Sequence, residues 1–273
     1  MFVYVYPRFY AFSFIMPPLR LLPDERHRII RQRLSLGKRV LALEMARELG
    51  ASEDTIRRDL RELASLGVCQ RVYGGALPVS PASGSFDTRQ RQALGWKVAL
   101  GQAAATIIAT DQVIFLDAGT TNLEVARALP SHLNLTVATN SPAIAMELIS
   151  HSNITLVMIG GLVNRDVGAA LGARAIRDVQ SISIELSFLG ACAVSVQDGV
   201  RAFIFEDAEF KRALVETSRA VAVAATTEKL GTTAPFHVAL STDLDTLIVE
   251  ADAQAGQLRG FKRAGVRIHQ LAI

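Results

Sequence analysis

Residues 52–66 read SEDTIRRDLRELASL, and their spacing predicts a helix that ends before Gly67. Ser52 is a good N-cap, because a serine hydroxyl accepts a hydrogen bond from a free N–H of the first turn. At about 100° per residue, Ile56, Leu60 and Leu63 share one face while Arg57, Arg58 and Arg61 project from the opposite side. One face anchors and the other is cationic. A helix of this width fits the DNA major groove, with Ser52, Glu53 and Thr55 at the end that reaches base edges and arginines available for guanine or phosphate. The alternative is an ordinary surface helix whose arginines pair with Asp54, Asp59 and Glu62.

Working outward, DERHRIIRQRL over 24–34 predicts a first helix, with acidic groups in its first turn and Ile30 four positions before Leu34. Gly37 interrupts it. A second helix is expected over Leu41–Leu49, where Ala42, Met45, Ala46 and Leu49 recur at the spacing of a buried stripe, and Gly50 and Ala51 make the turn into Ser52. After it, VCQRVY from Val68 alternates like a short strand that Gly74 and Gly75 terminate, so a wing is expected beside a helix-turn-helix. Arg71 and Tyr73 share one side of that wing, where a cation meets phosphate and a ring packs on the sugar-phosphate backbone. Cys69 has the same parity and is expected as small buried filler. The module spans 21–77.

The whole chain has 273 residues, enough for two domains or one large α/β domain. Half the residues are hydrophobic and a fifth charged, which excludes disordered and fibrous classes. The overall +3 is unevenly placed: positions 1–78 hold 13 basic and 8 acidic groups, whereas 79–273 hold 16 and 18. The front quarter is therefore the candidate nucleic-acid module. Cys69 and Cys192 are too few for a disulfide framework and fit a cytoplasmic protein, while His27, His132, His151, His237 and His269 show no metal-binding spacing. No cofactor, metal or membrane partner is expected, since no apolar run reaches the roughly 18 residues of a membrane span. Residues 1–20 are expected to be a disordered or mis-assigned leader, with Met16 as an alternative start and a small anchor as the competing reading.

Positions 78–90 begin PVSPASGSFDT, the composition of a linker, and a second domain is expected over 91–273. There helical and strand-like blocks alternate: a helix near Lys97–Ala109, then VIFLD, LEVARAL, LTVAT, PAIAMELI and ITLVMIG, with helices near Ala170–Val179 and Asp207–Ser218 and strands in ELSFLGA, RAVAVAA and TLIVE. That alternation predicts a parallel α/β sheet, whose ligands bind beyond the carboxyl ends of strands. Three strand-end loops are equipped for a phosphate: Asp117 followed by Gly119, Thr120 and Thr121; Thr139, Asn140 and Ser141; and Gly160 with Gly161. Each residue type is also a normal cap or turn former, so their repetition at strand ends carries the reading. Lys211 lies four positions after Asp207 on a helix, either as an exposed pair or as a ligand-facing lysine held by a carboxylate, and Lys229 in ATTEKLG is a further candidate.

The stretches ERHRII, TIRRDLRELASLG and RVYGGALP resemble the N-terminal domain of the DeoR family of bacterial transcriptional regulators, with Tyr73 where that family has histidine. Farther along, DAGTT from Asp117, TNS from Thr139, GG at Gly160 and DAEFKR from Asp207 resemble its sensor domain. Here Asp207 stands for a family glutamate and Thr226 for an acidic residue. The resemblance implies that Thr55, Arg57, Arg58 and Arg71 face operator DNA, and that the sensor has the sugar-phosphate isomerase fold. It implies a repressor released by a phosphorylated sugar or related metabolite, acting as a homodimer or homotetramer on double-stranded operator DNA. The alternative is a sugar-phosphate isomerase or deaminase with a regulatory front domain, using Asp117 as base and Lys211 to polarise.

Overall fold

The computed structural model describes residues 21–35, 39–66, 68–78 and 85–272. The expected leader 1–20, the interruption at Gly37, the helix end at Gly67 and the linker positions 79–84 lie outside the described residues.

The front module comprises α1 (Pro23–Ser35), β1 (Val40–Leu41), α2 (Ala42–Leu49), α3 (Glu53–Ser65), β2 (Cys69–Val72) and β3 (Gly75–Pro78). The apolar stripes close on one another: Ile30 and Leu34, then Ala42, Met45, Ala46 and Leu49, then Ile56, Leu60 and Leu63 form one buried cluster with Cys69. The turn between α2 and α3 uses Gly50 at φ +61°, a left-handed conformation that costs glycine least. Ser52 caps α3, its hydroxyl accepting from the Thr55 amide at 3.1 Å. β2 and β3 form an antiparallel hairpin, and β1 pairs with β3 to complete a three-stranded sheet. Tyr73 sits in the two-residue turn of that hairpin instead of on the strand, fully exposed at its tip.

Asp59 departs from the expected surface pairing. It is turned inward on α3, 2% exposed, and accepts from Arg26 of α1 through both oxygens, Nε to Oδ2 at 2.6 Å and Nη2 to Oδ1 at 3.0 Å. The third guanidinium nitrogen, Nη1, donates to the Leu21 carbonyl. This forked pair is what locks α1 to the helix that carries the exposed arginines.

The segment expected as linker contains a helix, α4 (Phe86–Arg91), capped by the Ser85 hydroxyl. Behind it follow α5 (Leu94–Ala105), β4 (Val113–Leu116), α6 (Thr120–Arg127), β5 (Leu135–Thr139), α7 (Pro142–Leu148), β6 (Ile154–Met158), β7 (Leu162–Asn164), β8 (Ala169–Leu171), α8 (Ala173–Gln180) and β9 (Leu186–Phe188). The chain then runs through β10 (Ala193–Ser195), β11 (Gly199–Ala202), α9 (Phe205–Thr217), β12 (Val221–Ala225), β13 (Phe236–Ala239), β14 (Thr246–Val249), α10 (Ala255–Arg263) and β15 (Arg267–Gln270). Ala170 and Leu171, expected at the start of a helix, instead belong to β8 and pair with β7 in a short hairpin before α8 begins.

Seven strands form one sheet in the order β15-β14-β12-β9-β4-β5-β6, every neighbouring pair parallel. Residues of α5, α6 and α7 bury one face and residues of α8, α9 and α10 the other, which is why the strands are apolar on both sides. A small antiparallel sheet, β10-β11-β13, adds to the second layer. Chain order reverses at β4: the chain steps outward to β5 and β6, then returns to β9 on the opposite side of β4. Two loops leaving neighbouring strand ends must part there, and the gap between them is where such sheets take ligands.

Asp59→Ala leaves the Arg26 guanidinium buried without its carboxylate, so it is expected to cost about 3–5 kcal/mol in stability of the front module. Urea unfolding followed by circular dichroism checks this, and a loss below ~1 kcal/mol would show the pair to be dispensable.

Candidate functional site

On α3 the apolar side is spent on the core and the arginines face outward. Arg57, Arg58 and Arg61 are exposed, as are Arg71 on the wing and Tyr73 at its tip. Arg57 pairs with Glu53 one turn earlier at 2.7 Å, a surface pair of small energetic weight. Among the described residues no carboxylate pairs with Arg58, Arg61 or Arg71. Ser52 and Thr55 spend their hydroxyls on one another at 2.8 Å, so the helix start presents its backbone and Thr55 is half-buried. Two exposed cations on the recognition helix, Arg58 and Arg61, and one on the neighbouring hairpin, Arg71, are thus left without an acidic partner among the described residues.

The second site is a cavity of about 330 Å³ beside the β4–β9 junction. Its wall includes Gly119, Thr120 and Thr121 from the loop after β4, Gly190, Ala191 and Cys192 from the loop after β9, and Asp207, Lys211 and Lys229. An α-helix leaves its first N–H groups without intrahelical acceptors, and here that end belongs to α6, opening at Thr120. The Thr121 hydroxyl is buried with no hydrogen-bond partner. Gly119 is extended, and a Cβ there would find its nearest neighbours at 3.8 Å and beyond, so the protein interior does not demand glycine at this position.

Asp117 sits beneath the wall, fully buried. Its oxygens accept from the amides of Ala118 at 2.9 Å and Gly190 at 2.8 Å, and Lys211 Nζ stands 3.3 Å away. Lys211 also bonds Asp207, so the expected i, i+4 pair is buried and faces the cavity. Burial pushes the Asp117 carboxyl up to about 6 against the opposing pull of Lys211. Burial also opposes the Lys211 ammonium, but Asp117 and Asp207 outweigh it and raise the lysine. Lys229 ends a 3₁₀ turn after β12, where its ammonium donates to the Ala191 carbonyl at 3.0 Å and burial pushes it down. Among the described residues no carboxylate pairs with it.

Two of the three predicted loops do not reach the wall. Thr139, Asn140 and Ser141 are fully buried behind it: Thr139 donates to the Leu116 carbonyl at 2.6 Å, and Asn140 Oδ1 accepts from the Ala118 amide at 3.0 Å. They brace the loop after β4 from the neighbouring strand. The Asn140 Nδ2 and Ser141 Oγ atoms are buried without partners. Gly160 and Gly161 launch the β7–β8 hairpin, and it is the turn of that hairpin, Asp166 and Val167, that lines the cavity.

Sequence reasoning missed several residues here. Asn122 donates to the carbonyls of Asp117 and Phe188, both at 2.8 Å, stapling the ends of β4 and β9. At Gly190 an added Cβ would lie 2.4 Å from the Ala118 carbonyl, so only glycine lets the two loops approach. Ser85 and Arg89 bring α4 to the wall, and Arg89 donates to the carbonyls of Asp166 at 2.6 Å and Val167 at 3.2 Å. Lys97 holds α4 from behind through the carbonyls of Arg89 and Gln92, its ammonium pushed down to about 8 by burial and by nearby Lys229. A serine N-cap three residues before Thr88 was the available signal for α4.

Family comparison closes on both modules. A model of the DeoR-like helix-turn-helix domain matches residues 26–82, and one of the DeoR C-terminal sensor domain matches residues 93–251. The HTH-type transcriptional regulator GlpR of Haloferax volcanii is 33% identical over 250 residues, covering 91% of this chain and 98% of its own length. The glycerol-3-phosphate regulon repressor of Escherichia coli strain K12 is 27% identical over 228 residues, covering 83% of this chain and 90% of its own. Among solved structures, ribose 5-phosphate isomerase A from Methanocaldococcus jannaschii matches at TM-score 0.38 and 15% identity over 50% of this chain and 54% of that one. Its score leaves the assignment to the sequence matches. The chain belongs to the DeoR family and is a DNA-binding transcriptional regulator.

Proposed function

We propose that this regulator is a repressor that holds operator DNA through Arg58, Arg61 and Arg71, with Ser52, Thr55, Arg57 and Tyr73 beside them, and releases it when a small phosphorylated metabolite enters the sensor cavity. The observation that carries the reading is the α6 N-terminus at the strand-order reversal, with the buried, unpartnered Thr121 hydroxyl on the same wall as Lys229. Free helix N–H groups, a hydroxyl and a cation without a carboxylate are what a phosphate dianion requires. Lys211 contributes differently, since its charge is answered by Asp117 and Asp207. It offers donors to hydroxyl groups without a net positive charge. Related repressors named for glycerol 3-phosphate support a phosphorylated effector.

Release follows from linkage. An effector shifts operator affinity only by its differential affinity for two arrangements of the protein, typically 1–3 kcal/mol. The isomerase or deaminase reading fares worse on geometry: Asp117 and Lys211 do converge, but Asp117 is fully buried, does not line the cavity, and has both oxygens engaged. A base so enclosed cannot reach a substrate proton.

Arg58→Ala is expected to weaken operator binding by about 1–3 kcal/mol where the side chain reads a base, or to lower the salt slope by about one where it touches phosphate alone. Gel shifts over a salt series check this, and unchanged affinity with unchanged slope would contradict it. Gly119→Val should fold normally, because its Cβ has room, while its branched side chain fills the cavity wall. A thermal-shift screen of sugar phosphates should then stabilise the wild type and not the variant; equal shifts in both would place the effector elsewhere.

A further inference from the structure

The two edges of the seven-stranded sheet are built differently. β15 has the sequence RIHQ, and Arg267, His269 and Gln270 are the kind of side chains that keep an edge strand from pairing with a stranger. β6 has the sequence ITLVM, carries no charge, and among the described residues pairs with β5 alone. One edge is guarded and the other is open.

The surface flanking the open edge is apolar. Met146 on α7 and Ile149 at its end are each 70% exposed, Met158 closes β6 at 41%, and Leu162 and Val163 follow on β7 at 86% and 44%. Glu147, between the first two, turns away to pair with Arg127 at 3.1 Å. With exposed areas on the order of 100 Å² each, the five residues together expose roughly 500 Å² of apolar surface on the elements before and after that edge. A standard interface takes about 800 Å² from each partner, so these five supply somewhat over half of one side, to which the exposed strand backbone adds.

We propose that the β6 edge with its apolar flank is a two-fold interface at which a second copy of this chain docks, β6 pairing antiparallel with its mate to continue the sheet. The occupant follows from the chemistry of the patch: an uncharged strand edge between apolar residues is complementary to itself, and a two-fold axis is the operation that sets one surface against its own copy. Antiparallel pairing is the arrangement in which a strand meets itself about that axis. A regulator with one winged helix per chain also needs a second copy to read two half-sites. The proposal does not depend on the effector reading.

The full-length protein is tested by sedimentation velocity at micromolar concentration. The wild type should sediment as a dimer, and the double variant Met158→Lys, Leu162→Asp as a monomer with unchanged circular dichroism. A monomeric wild type, or a folded variant that stays dimeric, overturns the proposal. Hydrogen exchange on the wild type supplies an arm that needs no variant. Amides of residues 154–158 should exchange at least about tenfold more slowly at dimer-forming concentration than on dilution, and concentration-independent exchange there overturns the proposal as well.

Discussion

The buried carboxylate of Asp117 is the constraint on which the sensor domain depends. Its oxygens accept amides from Ala118 and from Gly190, and so join the strand end before it to the loop after β9 across the strand-order reversal. Lys211 then ties the same carboxylate to α9, and Asp207 shares the lysine. An ionised group at zero exposure survives only where such partners replace water. The arrangement therefore fixes three segments at once, and it leaves the cavity wall a consequence of how they meet. Asn122 and Asn140 repeat the device with neutral groups, each bridging from one strand end to the next.

The front module solves a parallel problem on a smaller scale. A recognition helix has to be rigid on its inner face while leaving its cations available outside. In α3 the inner face is Ile56, Leu60 and Leu63, and the Asp59 fork to Arg26 adds direction that apolar contacts lack. Four residues of the same two turns, Arg57, Arg58, Arg61 and Glu62, remain exposed. One acidic residue inside is thus what lets the basic residues stay outside: Asp59 is consumed by α1 and cannot neutralise its own neighbours.

How far the sequence reveals this depends on the range of the interaction. The helices of the front module and the central strands are legible because their periods, 3.6 and 2, repeat within a few residues. Ser52 as cap and Gly50 as turn are local chemistry and stand where expected. Asp59 had a readable signal that charge pairing obscures: on the helical wheel it falls beside Leu63 on the apolar flank, where a carboxylate implies a buried partner. The hairpin strands of three residues, β7 and β8, are too short to show alternation, and Ala170 and Leu171 therefore read as the start of a helix. Loop residues at strand ends can be identified from sequence, but which of them face a cavity depends on strand order. Thr139, Asn140 and Ser141 stand on the far side of the loop they support because β5 lies beyond β4, away from β9.

The position of α4 bears on how the two modules communicate. Ser85 and Arg89 stand on the cavity wall, and Ser85 follows the last residue of the wing, Pro78, by seven positions. On the proposed reading an effector would touch the very segment that leads to the DNA-binding module. No side chain of α4 is fully buried: Phe86 packs half-buried against the core, and the rest of the hold comes from the Arg89 bonds to the β7–β8 turn and from Lys97 at its carbonyl end. One half-buried ring and a few polar contacts amount to a few kcal/mol, the same order as the coupling free energy that operator release requires. An element packed deep in the core would demand far more than a small ligand can supply, so a weakly held helix at the wall is where ligand binding has the energy to change the chain's arrangement.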